Sequence, residues 1–99
     1  MTSPETRIKL KLKRQIKALK EHHALYFTSI SDRYRSGMPD NLIICEGWHV
    51  FIECKAEGKS LRPLQRKVAD DIRYGGGCVR VYRGEELTSM EDIHNLPLE

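Results

Sequence analysis

The sequence predicts an α/β fold with the element order α-β-β-β-α-β. Two observations carry this. Apolar residues recur at helical spacing in two separated stretches, and short β-branched and aromatic runs, punctuated by Gly and Pro, lie between those stretches and after the second. The 99 residues suit one domain, spanning 1–99, with a single modest core.

Thr2 or Ser3 can cap the first helix, Pro4 suits its first turn, and Thr2-x-x-Glu5 fits a capping box. Ile8, Leu12, Ile16 and Leu19 then form an apolar stripe, and the helix is expected to end near His22 or His23. "ALYFTSI" from Ala24 to Ile30 reads as a strand and "SDRYRSGMP" as a loop. "NLIIC" and "WHVFIECKA" are two further strands separated by Glu46-Gly47. "EGKSLRP" connects to a second helix, preceded by Ser60 or Leu61, whose buried side is expected to be Leu64, Val68, Ala69 and Ile72. Gly75 to Gly77 end it, because glycine adopts the left-handed C-cap without steric cost. "CVRVYR" is a fourth strand, and "EELTSMEDIHN" an optional last helix.

Hydrophobic residues at 39% and charged residues at 31% argue against both a disordered tail and a membrane protein. No apolar run approaches the roughly 20 residues of a spanning helix, and "MTSPETRIKLKLKRQ" lacks the apolar region of a secretory signal. A cytoplasmic location is the expectation. Cys45, Cys54 and Cys78 are odd in number and sit in apolar stretches, which fits reduced, packed thiols rather than a disulfide framework or a zinc site. The net charge of +3 is unevenly spread: Arg7, Lys9, Lys11, Lys13, Arg14, Lys17 and Lys20 crowd the first helix pattern, where Glu5 is the only acid up to Lys20. Taken alone, this is either a soluble face or a phosphate-binding one, and the scarcity of acids favours nucleic acid. The triple glycine follows a helix and precedes a strand with no Lys-Ser or Lys-Thr after it, so no nucleotide cofactor is expected.

The chemistry lies in "GMPDNLIICEGWHVFIECK". If Glu46-Gly47 forms a tight turn, opposed residues on its two strands have position numbers summing to 93, which sets Asp40 against Glu53. Opposed side chains share a face with Cβ atoms about 4.5 to 5.5 Å apart, and like charges so placed repel unless something positive sits between them. Lys55 projects from the same face as Glu53, while Val50, Ile52 and Cys54 point to the other. Two hard carboxylates suit Mg²⁺ or Mn²⁺, and an amine beside them suits metal-assisted phosphodiester hydrolysis. A three-residue loop would instead shift the register by one and separate the carboxylates. Taken alone, "ECK" also fits a solvated strand face bearing ion pairs; Asp40 opposite Glu53 argues for a site.

These residues resemble the PD-(D/E)xK nuclease superfamily, and within it the virus-type replication-repair nuclease (VRR-NUC) branch, through "GMPD" (Gly37 to Asp40), "ECK" (Glu53 to Lys55) and "SLRPLQ" (Ser60 to Gln65). The resemblance implies a restriction-endonuclease-like core, with a central mixed sheet flanked by helices. It implies Asp40, Glu53 and the Cys54 backbone carbonyl as ligands of Mg²⁺ or Mn²⁺, with Glu5 reaching the metal through water. Lys55 would orient or activate the attacking water, and Gln65 would assist at the site. Cys54 stands where the pattern usually has an aliphatic residue. Stand-alone viral members look like homodimers that cut four-way DNA junctions. A phage or prophage homodimer acting on branched DNA, with no membrane partner, is therefore the expectation. Flap, nick or general duplex cleavage, or DNA binding without cutting, are the alternatives.

Lys9, Lys13, Arg14 and Lys17 on the first helix, Arg33 and Arg35 in the loop before "GMPD", and Lys59 and Arg62 in the connector are the candidate DNA contacts. His22 and His23 read as a polar helix end, and His49 lies too far along its strand to join the metal site. Trp48 is either a core residue or an interface anchor. The acidic tail with Glu85, Glu86, Glu91 and Asp92 is not expected to touch DNA.

Overall fold

The computed structural model describes residues 2–30 and 37–99. Its elements are α1 (Pro4–Leu19), β1 (Leu25–Ser29), β2 (Asn41–Cys45), β3 (Trp48–Cys54), α2 (Pro63–Tyr74), β4 (Val79–Tyr82) and α3 (Met90–His94). The sheet order is β1-β2-β3-β4. The β1–β2 and β2–β3 pairs are antiparallel, whereas β4 runs parallel to β3 because α2 carries the chain back between them. The element order is the one the sequence predicts, and the mixed, helix-flanked sheet is the one the resemblance implies.

The β2–β3 hairpin sets the register on which the site depends. Glu46 (φ 51°) and Gly47 (φ 82°) are both left-handed, the conformation a two-residue type I′ turn needs to match the twist of its strands. Cys45 opposes Trp48, Leu42 opposes Phe51 and Asn41 opposes Ile52, so every pair sums to 93. Asp40 lies one position beyond the last pair. There its side chain takes over from the backbone ladder, Oδ2 accepting the N–H of Cys54 at 3.1 Å.

Alternation along β3 divides the core in two. Val50, Ile52 and Cys54 face α1, where they meet Leu12, Ile16 and Leu19 together with Ile93 and Leu96 from the C-terminal segment. Phe51 faces α2 and packs with Leu61, Ala69, Val79 and Val81. Each fully buried Leu, Ile or Val side chain contributes about 1.5–3 kcal/mol relative to exposure, so α1 is held mainly by its stripe. Trp48 is partly buried against the larger cluster and stacks on His94 with ring centroids 3.6 Å apart. Cys45 and Cys54 are buried free thiols, and Cys78 is half-buried.

Several local expectations are corrected. Ser3, not Thr2, caps α1, its side chain accepting from the Thr6 amide, so the Thr2-Glu5 capping box does not form and Glu5 is left available elsewhere. The helix ends at Leu19, the last residue of its buried stripe, short of His22. β3 ends at Cys54 rather than Ala56, and α2 starts at Pro63 after Arg62. Leu64 is 46% exposed rather than buried. The buried line of α2 runs through Gln65 and Ala69, and Leu64 lies about 100° round from Gln65. The glycine run places its left-handed residue at Gly76 (φ 92°), with Gly75 in an ordinary conformation. Among the described residues, no helix is long and apolar enough to cross a membrane.

Candidate functional site

Three elements converge where β2 begins and β3 ends. Glu5 comes from the first turn of α1, Asp40 from the approach to β2 and Glu53 from the end of β3, and one carboxylate oxygen from each lies within 4.8 Å of the others. Lys55 follows directly after β3. Its position is fixed because its own N–H donates to the Tyr82 carbonyl of β4 at 3.0 Å, and its Nζ stands 4.0 Å from Glu53 Oε2. Gln65, at the start of α2, uses both ends of its amide: Oε1 accepts the Arg62 N–H at 2.9 Å, capping the helix, while Nε2 donates to Glu53 Oε2 at 3.1 Å. The same bond geometry therefore starts α2 and aims the Glu53 carboxylate.

Burial makes this polar group costly. Glu53 is 3% exposed, and Lys55 and Gln65 are 8% exposed each. Removal from water, and secondarily the Asp40 charge, push the Glu53 carboxyl up to about 7, although Lys55 pulls the other way. Glu53 Oε2 has Gln65 and Lys55, but Oε1 is buried without a hydrogen-bond partner among the described residues. A buried acceptor left unpaired costs roughly 1–3 kcal/mol. An oxygen-preferring divalent cation fits this set: three carboxylates within reach of one another, one of them carrying an orphaned oxygen. The Cys54 thiol, by contrast, is pushed up to about 12, chiefly by burial, and lies on the core side of the sheet, so it offers neither a nucleophile nor a soft ligand.

The site opens into a cleft of about 570 Å³, whose rim carries Lys9, Lys59 and Arg62. Lys9 Nζ lies 3.7 Å from Asp40 Oδ1. The remaining basic residues of α1 do not line this cleft. Arg14 and Lys17 border a separate groove of about 890 Å³ with Arg7, Lys11 and Arg83, and Lys13 borders both that groove and a smaller one adjoining Asp40. Lys11 is occupied, bonded to the Gly84 carbonyl at 2.6 Å and to Glu86 at 2.8 Å, so part of the acidic tail folds onto the basic helix. Arg33 and Arg35 lie outside the described residues. Neither His22, His23 nor His49 joins the acidic group. The feature that sequence reasoning overlooked is the Lys9–Asp40 contact. Its signal was the i, i+4 spacing of Glu5 and Lys9, which puts both on one helix face.

The mixed sheet between two helices, with acids at Asp40 and Glu53 and the Glu53-Cys54-Lys55 triplet closing β3, defines a restriction-endonuclease-like fold of PD-(D/E)xK type. Within that class, the chain is similar to a solved VRR_NUC domain, with a TM-score of 0.74 and 27% sequence identity over 95% of this chain and 98% of the other. That likeness supports a nuclease function. No family model and no curated protein matches the sequence.

Proposed function

We propose that residues 1–99 form one nuclease domain that hydrolyses phosphodiester bonds of branched DNA, four-way junctions above all, with Mg²⁺ or Mn²⁺ and as a homodimer. The observation that carries this reading is the meeting of Glu5, Asp40 and Glu53 beside the buried Lys55, on a fold similar to a VRR_NUC domain. Asp40 and Glu53 would hold the ion with the Cys54 carbonyl, and Glu5 through water. The ion, when bound, supplies Lewis-acid polarisation of the phosphoryl oxygen and a lower pKa for the attacking water. Lys55 would orient or activate that water from its place beside Glu53. Gln65 holds Glu53 in place, and Lys9, Lys59 and Arg62 receive the phosphates at the rim. Two symmetric copies match the two symmetric nicks that resolve a junction. Contacts made to phosphates read backbone shape rather than sequence.

The test is cleavage of a labelled four-way junction, a flap and a linear duplex in Mg²⁺, Mn²⁺ or EDTA, comparing wild type with Glu53→Ala. Paired, metal-dependent nicks on the junction, lost in the variant, are expected. Equal cutting of all three substrates would remove the junction preference, and binding without cutting under either metal would leave a DNA-binding module. Lys55→Ala is expected to lower the cutting rate by about a hundredfold or more while junction affinity stays near wild type.

A further inference from the structure

We infer that Lys9 is the resident counter-cation of the acidic site in the metal-free protein, holding Asp40 until a divalent ion replaces it and then turning to the substrate phosphate. This rests on the metal-dependent reading above and adds a coupling between metal and DNA. Among the described residues, Asp40 has one oxygen in a hydrogen bond, Oδ2 accepting the Cys54 N–H at 3.1 Å. The other, Oδ1, faces the Lys9 amine at 3.7 Å. An ion drawn to the three converging carboxylates competes with Lys9 for that oxygen, since two cations on one oxygen repel. Lys9 is free to yield. Its side chain is 46% exposed on the rim, in contrast to Lys55 at 10%, so it can swing without breaking the core.

Its alternative position is supplied by the fold. Lys9 borders both the cleft of the acidic site and the adjoining groove of about 350 Å³, where Lys13 lies one helical turn away. A phosphate at that junction meets the freed Lys9 amine and Lys13 together. Metal binding thus releases a phosphate contact, and by linkage DNA binding eases metal binding by the same factor. Lys9 is a positioning residue here, acting on the ion through Asp40.

The experiment measures Mn²⁺ affinity of the full chain by titration calorimetry without DNA, at pH 8. It is paired with duplex affinity in Ca²⁺ against EDTA by fluorescence anisotropy. Lys9→Gln is expected to bind Mn²⁺ about fivefold more tightly than wild type and to lose the gain in DNA affinity that Ca²⁺ gives wild type. Lys9→Arg, which keeps the charge, is expected to behave as wild type in both. Unchanged or weaker Mn²⁺ binding by Lys9→Gln, with wild type binding normally, overturns the counter-cation role alone. Wild type that binds no Mn²⁺ overturns it together with the metal reading.

Discussion

Glu53 is held in a place that suits a proton or a metal ion better than a bare charge. Its folded pKa of about 7 stands above the ordinary glutamate value of 4.5, so between those values the native protein binds more protons than the unfolded chain. Metal-free stability contributed by this group is therefore present below about pH 4.5 and is lost as pH rises to about 7. At full effect the loss is about 3 kcal/mol. Glu53→Gln, which cannot ionise, is expected to be about 1–3 kcal/mol more stable than wild type at pH 8 in EDTA and equal to it near pH 4.5, measured by urea unfolding, while losing all cutting. Equal stability at both pH values would mean that Glu53 ionises freely in the folded state. The same proton must leave for an ion to bind, so Mn²⁺ affinity should fall about tenfold for each pH unit below 7. The grouping of Asp40, Glu53 and Lys55 was legible in the sequence, because strand alternation and one hairpin register suffice to place them. The Lys9 contact was harder to see: the i, i+4 spacing puts Lys9 on the helix face of Glu5, but nothing within the helix says that Asp40 at a strand end meets that face.

α2 begins where the site needs it to. Gln65 caps the helix and orients Glu53 with one amide, so Gln65→Ala removes both bonds. It is expected to cost about 1 kcal/mol of stability by thermal unfolding, and to lower the cutting rate more than the loss of stability accounts for. Opposite this turn, Gly37 sits at φ 93°, and a Cβ there would come within 2.9 Å of both the Leu64 side chain and its carbonyl oxygen. The glycine of "GMPD" thus lets the approach to Asp40 pass close under α2. Elements were legible by periodicity, whereas their ends were not. Whether Ser3 or Thr2 caps α1, and whether Leu64 or Gln65 turns inward, depends on a rotation of about 100° that the apolar pattern alone does not fix.

Across the whole molecule, charge is sorted by location rather than by amount. Lys13 and Lys17 stand exposed on one helix, while Lys11 is neutralised by Glu86 folding back from beyond β4. If α1 tracks a DNA backbone, replacing Lys13 and Lys17 together by Ala should weaken junction binding and reduce the slope of log affinity against log salt by about 2, read by anisotropy. An unchanged slope would place the DNA on another face. The order of elements and the mixed sheet were foreseeable from spacing and resemblance; the partial cancellation of the basic helix was not, since it depends on where a distant acidic segment returns. The hairpin at Glu46-Gly47 gives the fold a further property. Because it counts residues between the two acids, an insertion there is read as a frame error in three dimensions: one added residue would leave both strands hydrophobic and foldable while setting Glu53 out of step with Asp40. Loop length at this tip thereby sets whether the two carboxylates share a face, although the turn itself lies at the opposite end of the hairpin from them.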